Sequence, residues 1–350
     1  MDLVTAARLV GGLVALLVGA DLLVRGAAAL ARRLGVGPLV VGLTVVAFGT
    51  SAPEVAVSVG ASLRGAGDLA LGNVIGSNTF NVLFILGLSS LVAPLVVHRR
   101  IVRIDLPLLL VLTLAVVALS RDGSIGRGEG IGLLAGLLLY VLIQIRGARA
   151  EEPPEGALQA APAPLPRSLL LVGGGLGLLV FGADLFVTGA SALAAALGVD
   201  ERVIGLTIVS AGTSLPEVAT SVVAAARGER DIAVGNVVGS NVFNLLGVLG
   251  AAAVTSSSGL PVADATSAFD IPVMLGATIV VVPLAFSGGR LARGEGLVLL
   301  LGYAAYATYL VLAETDVASL PGYRDALLGV GLPLLVMAVA LSVWPRRRPS

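Results

Sequence analysis

Two glutamates stand in near-identical surroundings in the two halves of this chain. Glu54 closes the segment Gly49-Thr50-Ser51-Ala52-Pro53-Glu54, and Glu217 closes Gly212-Thr213-Ser214-Leu215-Pro216-Glu217. A second polar segment follows each. The first runs Gly72-Asn73-Val74-Ile75-Gly76-Ser77-Asn78-Thr79-Phe80-Asn81, the other Gly235-Asn236-Val237-Val238-Gly239-Ser240-Asn241-Val242-Phe243-Asn244. Every segment is embedded in apolar sequence of membrane-spanning length. A charge at membrane depth costs at least about 3 kcal/mol and by default marks an ion pathway. No basic residue sits at the depth of Glu54 or Glu217, so a bound cation is the natural partner of both.

The rest of the donor set is oxygen. Thr50 and Glu54 are four apart and share a helix face, as do Thr213 and Glu217. Asn73, Ser77 and Asn81 form a ladder at the same spacing, and Asn236, Ser240 and Asn244 repeat it. Ser51 and Ser214 add hydroxyls. Pro53 and Pro216 lack an N–H and clash with the carbonyl four residues back, which frees the carbonyls of Gly49 and Gly212. Irregular backbone at membrane depth is tolerated where it lines a cavity or is buried in protein. Such a set suits a hard cation of flexible coordination. Ca²⁺ takes about six to eight oxygens, whereas Mg²⁺ demands a tighter octahedron. Transition metals prefer imidazole or thiolate, but the chain has no Cys and one His. His98 sits in a basic loop beside Arg99 and Arg100 and reads as a solvated residue. Two carboxylates neutralise one Ca²⁺, and several Na⁺ ions can fill the same space. The two loads then exclude one another, which gives exchange rather than leak.

Other acids read as structural. Asp68, Asp231, Asp105 and Asp270 are expected N-caps. Glu129 and Glu295 open helices, where the dipole favours acids. Asp21 and Asp184, repeated inside the first span of each half, are expected to pack helices, with Arg25 within reach of Asp21.

Positioning these groups falls to a duplicated architecture. Gly42–Gly87 aligns with Gly205–Gly250 without a gap, with 29 of 46 positions identical. Weaker matches extend outward through Asp21/Asp184, Asp105/Asp270 and Glu129/Glu295. The chain is 57% hydrophobic, 13% charged and without net charge, with a mean hydropathy of +1.00. Soluble domains carry about 25% charged residues. The fold class is therefore an all-α integral membrane protein. Spans are expected near 5–31, 37–62, 69–93, 105–121 and 129–146, and again near 169–196, 202–225, 232–255, 270–286 and 295–313. An odd number per copy turns the second copy upside down, giving two inverted five-helix repeats, a plan common among secondary transporters. A further run near 325–344 is an extra C-terminal transmembrane helix. The domains are thus 1–146, a Pro- and Ala-rich cytoplasmic linker 147–166, the inverted copy 167–313, and a helix with a basic tail over 314–350. Every basic residue is Arg. With the N-terminus outside and the C-terminus inside, fifteen Arg fall inside and six outside, which follows the positive-inside rule.

Through the paired GTSxPE and GNxxGSNxxN segments the chain resembles the cation/calcium exchanger superfamily, specifically its prokaryotic sodium/calcium exchangers, over about residues 5–313. The resemblance implies ten core helices, ions held between the second, third, seventh and eighth, and long first and sixth helices that slide as a gate. By motif, Glu54 and Glu217 would be carboxylates shared by Ca²⁺ and Na⁺, with Thr50 and Thr213 completing the calcium site. Ser77 and Ser240 would serve sodium sites, and Asn81 and Asn244 would line the middle. The carbonyls of Ala47 and Ser210 would match outer and inner sodium positions. Some relatives, potassium-dependent members among them, carry an acid where this chain has Asn244, which argues against potassium co-transport. The expected function is Ca²⁺/Na⁺ antiport in the cell membrane, with membrane lipid as surroundings, a monomer sufficient, no cofactor, no enzymatic activity and no nucleic acid. The alternatives are a proton/calcium antiporter, a passive cation channel, or a membrane scaffold without transport.

Overall fold

The computed structural model of the chain describes residues 2–148, 164–199, 204, 208, 210–282, 290–314 and 320–343. Nearly all of them are helical. The first helix, α1 (Leu3–Leu34), starts at Asp2, whose Oδ1 accepts the Thr5 N–H at 2.6 Å, the usual side-chain cap for orphan N–H groups. It ends at Gly35 with φ of 66°, the left-handed stop that glycine adopts without strain. Then follow α2 (Pro38–Thr50), α3 (Ala52–Leu63), α4 (Gly67–Val92), α5 (Ile101–Asp122) and α6 (Arg127–Ala148). The second half repeats the series with α7 (Leu165–Ala196), a short α8 (Ser210–Gly212), α9 (Leu215–Ala226), α10 (Arg230–Thr255), α11 (Thr266–Val281) and α12 (Arg293–Glu314). The last helix, α13, spans 320–343.

Seven of these helices are each long and apolar enough to cross a membrane, and the bent pair α2–α3 makes eight. The spans expected at 202–225 and 270–286 run partly into residues outside the described ones, as does the run near 325–344. Most of the 147–166 linker and Arg149, Arg202 and Arg346 to Arg348 also lie outside them.

Burial sorts the spans into centre and periphery. The most apolar windows of α4 and α10 are 78% and 83% buried, against 22–33% for α1, α5, α6, α7 and α12. The two helices carrying the polar ladders are thus the core, and the greasy helices ring them.

The long α1 and α7, each of 32 residues, lie against each other. Lipid tails are as apolar as leucine, so such helices associate through close packing at small residues. Gly12, Gly19 and Gly26 recur every seven residues on α1, and Gly175, Gly182 and Gly189 do so on α7. A Cβ on Gly12 would lie 2.6 Å from Phe186 N, one on Gly19 2.9 Å from Gly175 O, and one on Gly26 2.8 Å from Val172 N. The partners descend as the α1 positions ascend, so the helices run antiparallel.

Two short strand pairs tie loops of one half to loops of the other. Strand β1 (Leu95–Val96) pairs antiparallel with β4 (Arg290–Leu291), and β2 (Ser124–Ile125) with β3 (Leu260–Pro261). Arg127 Nε donates to Val254 O at 3.0 Å, and Arg293 Nε to Leu91 O at 3.0 Å, so the copies exchange matching clasps.

Several acids sit differently from expectation. Asp68 and Asp231 fall in the first turn of α4 and α10 rather than at their N-caps, which are Ala66 and Glu229. Their carboxylates complement the helix dipole instead. Asp105 makes no cap bond and is fully buried, because Gln144 Nε2 donates to its Oδ1 at 2.6 Å and Tyr140 OH reaches it at 3.4 Å. Its repeat mate Asp270 accepts from Tyr306 OH at 3.1 Å. Glu129 and Glu295 behave as read, accepting the N–H of Gly126 at 2.5 Å and of Ala292 at 2.7 Å. Asp21 pairs with Arg25 at 2.9 Å, as its spacing suggested, and also with Arg227 on the end of α9. Asp184 is exposed. His98 is an exposed loop residue, its Nδ1 accepting the Arg100 N–H at 3.3 Å.

Candidate functional site

The motif proline sets the geometry around each glutamate. Helices α2 and α3 are bent by 43° at Ser51, which has φ −80° and ψ 5°. The matching break is at Ser214, with φ −90° and ψ 7°. The break therefore falls two residues before each proline. The reason is that Pro53 and Pro216 sit in the first turn of a new helix, where no N–H is required and their fixed φ is already helical. A consequence is that Glu54 and Glu217 each occupy the first turn of α3 and α9, at the positive end of the helix dipole.

Both glutamates are 1% exposed. Each accepts from the helix-break serine of the other copy, and Glu217 also from a serine of its own. Ser214 Oγ donates to Glu54 Oε1 at 2.9 Å and lies 3.3 Å from Ser77 Oγ. Ser51 Oγ donates to Glu217 Oε1 at 3.1 Å, and Ser240 Oγ reaches the same oxygen at 3.5 Å. The serines at the two helix breaks thus cross between halves. Thr50 Oγ1 lies 3.1 Å from both the Val46 carbonyl and Asn236 Oδ1. Asn236 Nδ2 donates to Ser221 Oγ at 2.9 Å, and Asn73 Nδ2 to Ser58 Oγ at 2.9 Å.

The two polar ladders also meet directly. Asn81 Nδ2 donates to Asn241 Oδ1 at 2.9 Å, and Asn244 Nδ2 to Asn78 Oδ1 at 3.4 Å. Asn81 and Asn244 each open a π-helical turn, Asn81–Ile85 and Asn244–Val248. Such wide turns recur at functional sites.

The candidate residues Glu54, Glu217, Thr50, Ser51, Ser214, Ser77, Ser240, Asn73, Asn236, Asn81 and Asn244 are all buried, and hydrogen bonds tie the glutamates to Ser51, Ser214 and Ser240, and Asn81 and Asn244 to Asn241 and Asn78. Thr213 is half-buried in the turn before α9. Ala47 is fully buried, and its carbonyl accepts the Ser51 N–H at 3.0 Å. The Ser210 side chain lies outside the described residues. Sequence reasoning missed Ser58, Ser221, Asn78 and Asn241. Ser58 and Ser221 follow the glutamates by four, the same-face spacing that was available to find them. Asn78 and Asn241 follow the ladder serines by one, and a strict four-residue ladder passes them over.

What the network leaves unsatisfied decides its chemistry. Glu54 Oε2, Glu217 Oε2, Asn81 Oδ1 and Asn244 Oδ1 are buried without a hydrogen-bond partner. Each orphaned buried acceptor costs about 1–3 kcal/mol, and more when charged. Among the described residues no ion pair neutralises either glutamate. Nor does any group of three or more His, Cys, Asp and Glu come together. All four open atoms are acceptors, so what would satisfy them is a cation or a hydrogen-bond donor.

Membrane-crossing helices with such buried oxygen acceptors are chemically suited to holding a cation. The profile of the family described as sodium/calcium exchanger protein matches residues 4–146 and 167–312, and the chain belongs to this family. It is similar to the inner membrane protein YrbG of Escherichia coli (strain K12), 38% identical over 318 residues that cover 88% of this chain and 97% of the relative. It is also similar to the sodium/calcium exchanger MaX1 of Methanosarcina acetivorans, 31% identical over 339 residues, covering 85% and 96%. Among solved structures it resembles the sodium-calcium exchanger NCX_Mj soaked with Na⁺ and Sr²⁺, with a TM-score of 0.75 and 30% identity over 86% of this chain and 96% of that one. The family and these likenesses make the chain a membrane cation antiporter.

Proposed function

We propose that this protein exchanges Ca²⁺ for Na⁺ by alternating access, with ions bound between the broken helices that carry Glu54 and Glu217. The observation that carries this reading is the set of four buried acceptor oxygens, two of them carboxylate, with no protein donor. Thr50, Thr213, Ser51, Ser214, Ser77, Ser240, Asn73, Asn236, Asn81 and Asn244, with the carbonyls of Ala47 and Ser210, complete the oxygen set. One Ca²⁺ neutralises the two carboxylates, whereas three Na⁺ leave one positive charge, so the cycle moves net charge.

The architecture we infer is two inverted five-helix repeats, 1–146 and 167–313, joined by a cytoplasmic linker 147–166 and followed by an extra helix and basic tail over 314–350. Two findings support the inversion. Repeat-equivalent α1 and α7 run antiparallel, as inversion requires. The β1–β4 and β2–β3 pairs also join loops that the inverted topology puts on the same side of the membrane. The Arg distribution supports an outside N-terminus and an inside C-terminus. A single chain contains every residue of the proposed site.

Release of ²²Na⁺ from loaded proteoliposomes on adding external Ca²⁺ tests the coupling. Stimulated release supports sodium exchange. Release unchanged by Ca²⁺, with Ca²⁺ entering against a proton gradient instead, replaces Na⁺ by H⁺ as the coupling ion. Sustained Ca²⁺ current without any counter-ion gradient makes the protein a channel.

A further inference from the structure

We propose that Asn78 is a positioning residue for the ion site, acting through Asn244, and that Met274 fixes its orientation. The proposal rests on the site reading above. Its starting point is an amide whose two ends are chemically distinct. The Asn78 side chain is 3% exposed and touches two groups of unlike character. On one side lies the thioether of Met274 on α11, 3.9 Å from Nδ2. A thioether sulfur can accept a hydrogen bond but never donate one, so the amine end of Asn78 must face it. The carbonyl end is thereby turned toward Asn244.

Asn244 Nδ2 donates to that carbonyl at 3.4 Å. With its amine so engaged, the Asn244 amide presents Oδ1 on its other side, where it meets no protein donor. The chain Met274–Asn78–Asn244 therefore decides which end of the Asn244 amide remains open. A carbonyl there is a cation ligand. An amine in its place would repel one. Because oxygen and nitrogen of an amide are nearly the same size, packing alone does not choose between the two orientations, and a hydrogen-bonding neighbour must.

The other copy lacks the anchor. Asn241 accepts from Asn81 Nδ2 at 2.9 Å, but the residue equivalent to Met274 is Leu109, which offers no acceptor. Asn241 lines a small apolar cavity together with Leu109, Val237 and Val238. The two amide pairs are thus not equal in spite of the repeat. Asn244 is the one whose orientation is fixed from behind, and replacing Asn78 should act on the site more strongly than replacing Asn241.

The test compares Asn78→Leu with Asn78→Asp in initial-rate Ca²⁺ uptake by proteoliposomes under an outward Na⁺ gradient, beside the unaltered protein. Leucine matches the volume but removes the acceptor, and aspartate keeps an acceptor for Asn244. Removing the partner that orients a metal ligand typically costs ten- to a hundredfold in affinity. Asn78→Leu is therefore expected to raise the KM for Ca²⁺ by at least about tenfold with kcat little changed. Asn78→Asp is expected to bring KM most of the way back, and Met274→Leu to raise it less than Asn78→Leu does. A packing role ranks the variants the other way, with the apolar leucine tolerated in a buried site and the charged aspartate damaging. That ranking, or an unaltered KM in Asn78→Leu, overturns the proposal. Absence of uptake by the unaltered protein overturns instead the calcium reading on which it rests.

Discussion

The hydroxyl of Ser214 donates to Glu54 Oε1 at 2.9 Å, and so a residue of the second copy holds the carboxylate of the first. Ser51 returns the bond to Glu217 at 3.1 Å. Neither copy completes its own half of the network. Ser214→Ala and Ser51→Ala should therefore have similar effects although the residues lie far apart in sequence. Each is expected to raise the KM for Ca²⁺ by about tenfold, the usual effect of losing a bond that orients a ligand. Initial uptake rates against Ca²⁺ concentration check this, and a large effect in one variant alone contradicts the reciprocal arrangement.

Glu54→Gln and Glu217→Gln keep shape and burial but remove the charge that offsets a divalent ion. Each should abolish Ca²⁺ uptake while the protein still inserts and elutes as a folded species on size-exclusion chromatography. Full exchange by either variant refutes the site assignment.

The glycine seam between α1 and α7 predicts where bulk is not tolerated. A Cβ on Gly19 would lie 2.9 Å from Gly175 O and one on Gly175 2.6 Å from Leu23 N, whereas Gly173 has nothing within 4 Å. Gly19→Val and Gly175→Val should each destabilise by about 1–3 kcal/mol or more, the range for overpacking, and Gly173→Val far less. Thermal unfolding in detergent separates them.

Gln144 bridges two buried ionisable groups, accepting from Arg100 at 2.5 Å and donating to Asp105 at 2.6 Å. Gln144→Leu removes both bonds. The expected loss of stability is about 1.5–3 kcal/mol for each hydrogen bond to a charged group that is removed, with the KM for Ca²⁺ unchanged because none of these atoms belongs to the proposed ion site. A shift in KM without a shift in melting temperature contradicts this division.

Much of this organisation is legible in the sequence because duplication makes functional residues visible in pairs. Glu54 with Glu217, and Asn73, Ser77 and Asn81 with their mates, stand out as polar identities in apolar surroundings. The crossing of Ser51 and Ser214 to the opposite glutamate was not readable. A repeat reports which residues are equivalent, not which copy each one touches. The place of the helix breaks is not legible from the prolines alone, because each proline serves in the first turn of a new helix rather than as an interior breaker. Asp105 shows a further limit. Its place before Pro107 suggests a cap, and only the fold brings Gln144, 39 residues away, against it. The Leu95–Val96 and Ser124–Ile125 strand pairings were equally invisible, since two-residue ladders carry no periodicity.

The most direct test of the account is ⁴⁵Ca²⁺ uptake into proteoliposomes under an outward Na⁺ gradient, an outward H⁺ gradient, and no gradient, with Glu54→Gln beside the unaltered protein. The account predicts uptake with the Na⁺ gradient alone, lost in Glu54→Gln. Uptake driven only by H⁺, or equal in all three conditions, would contradict it.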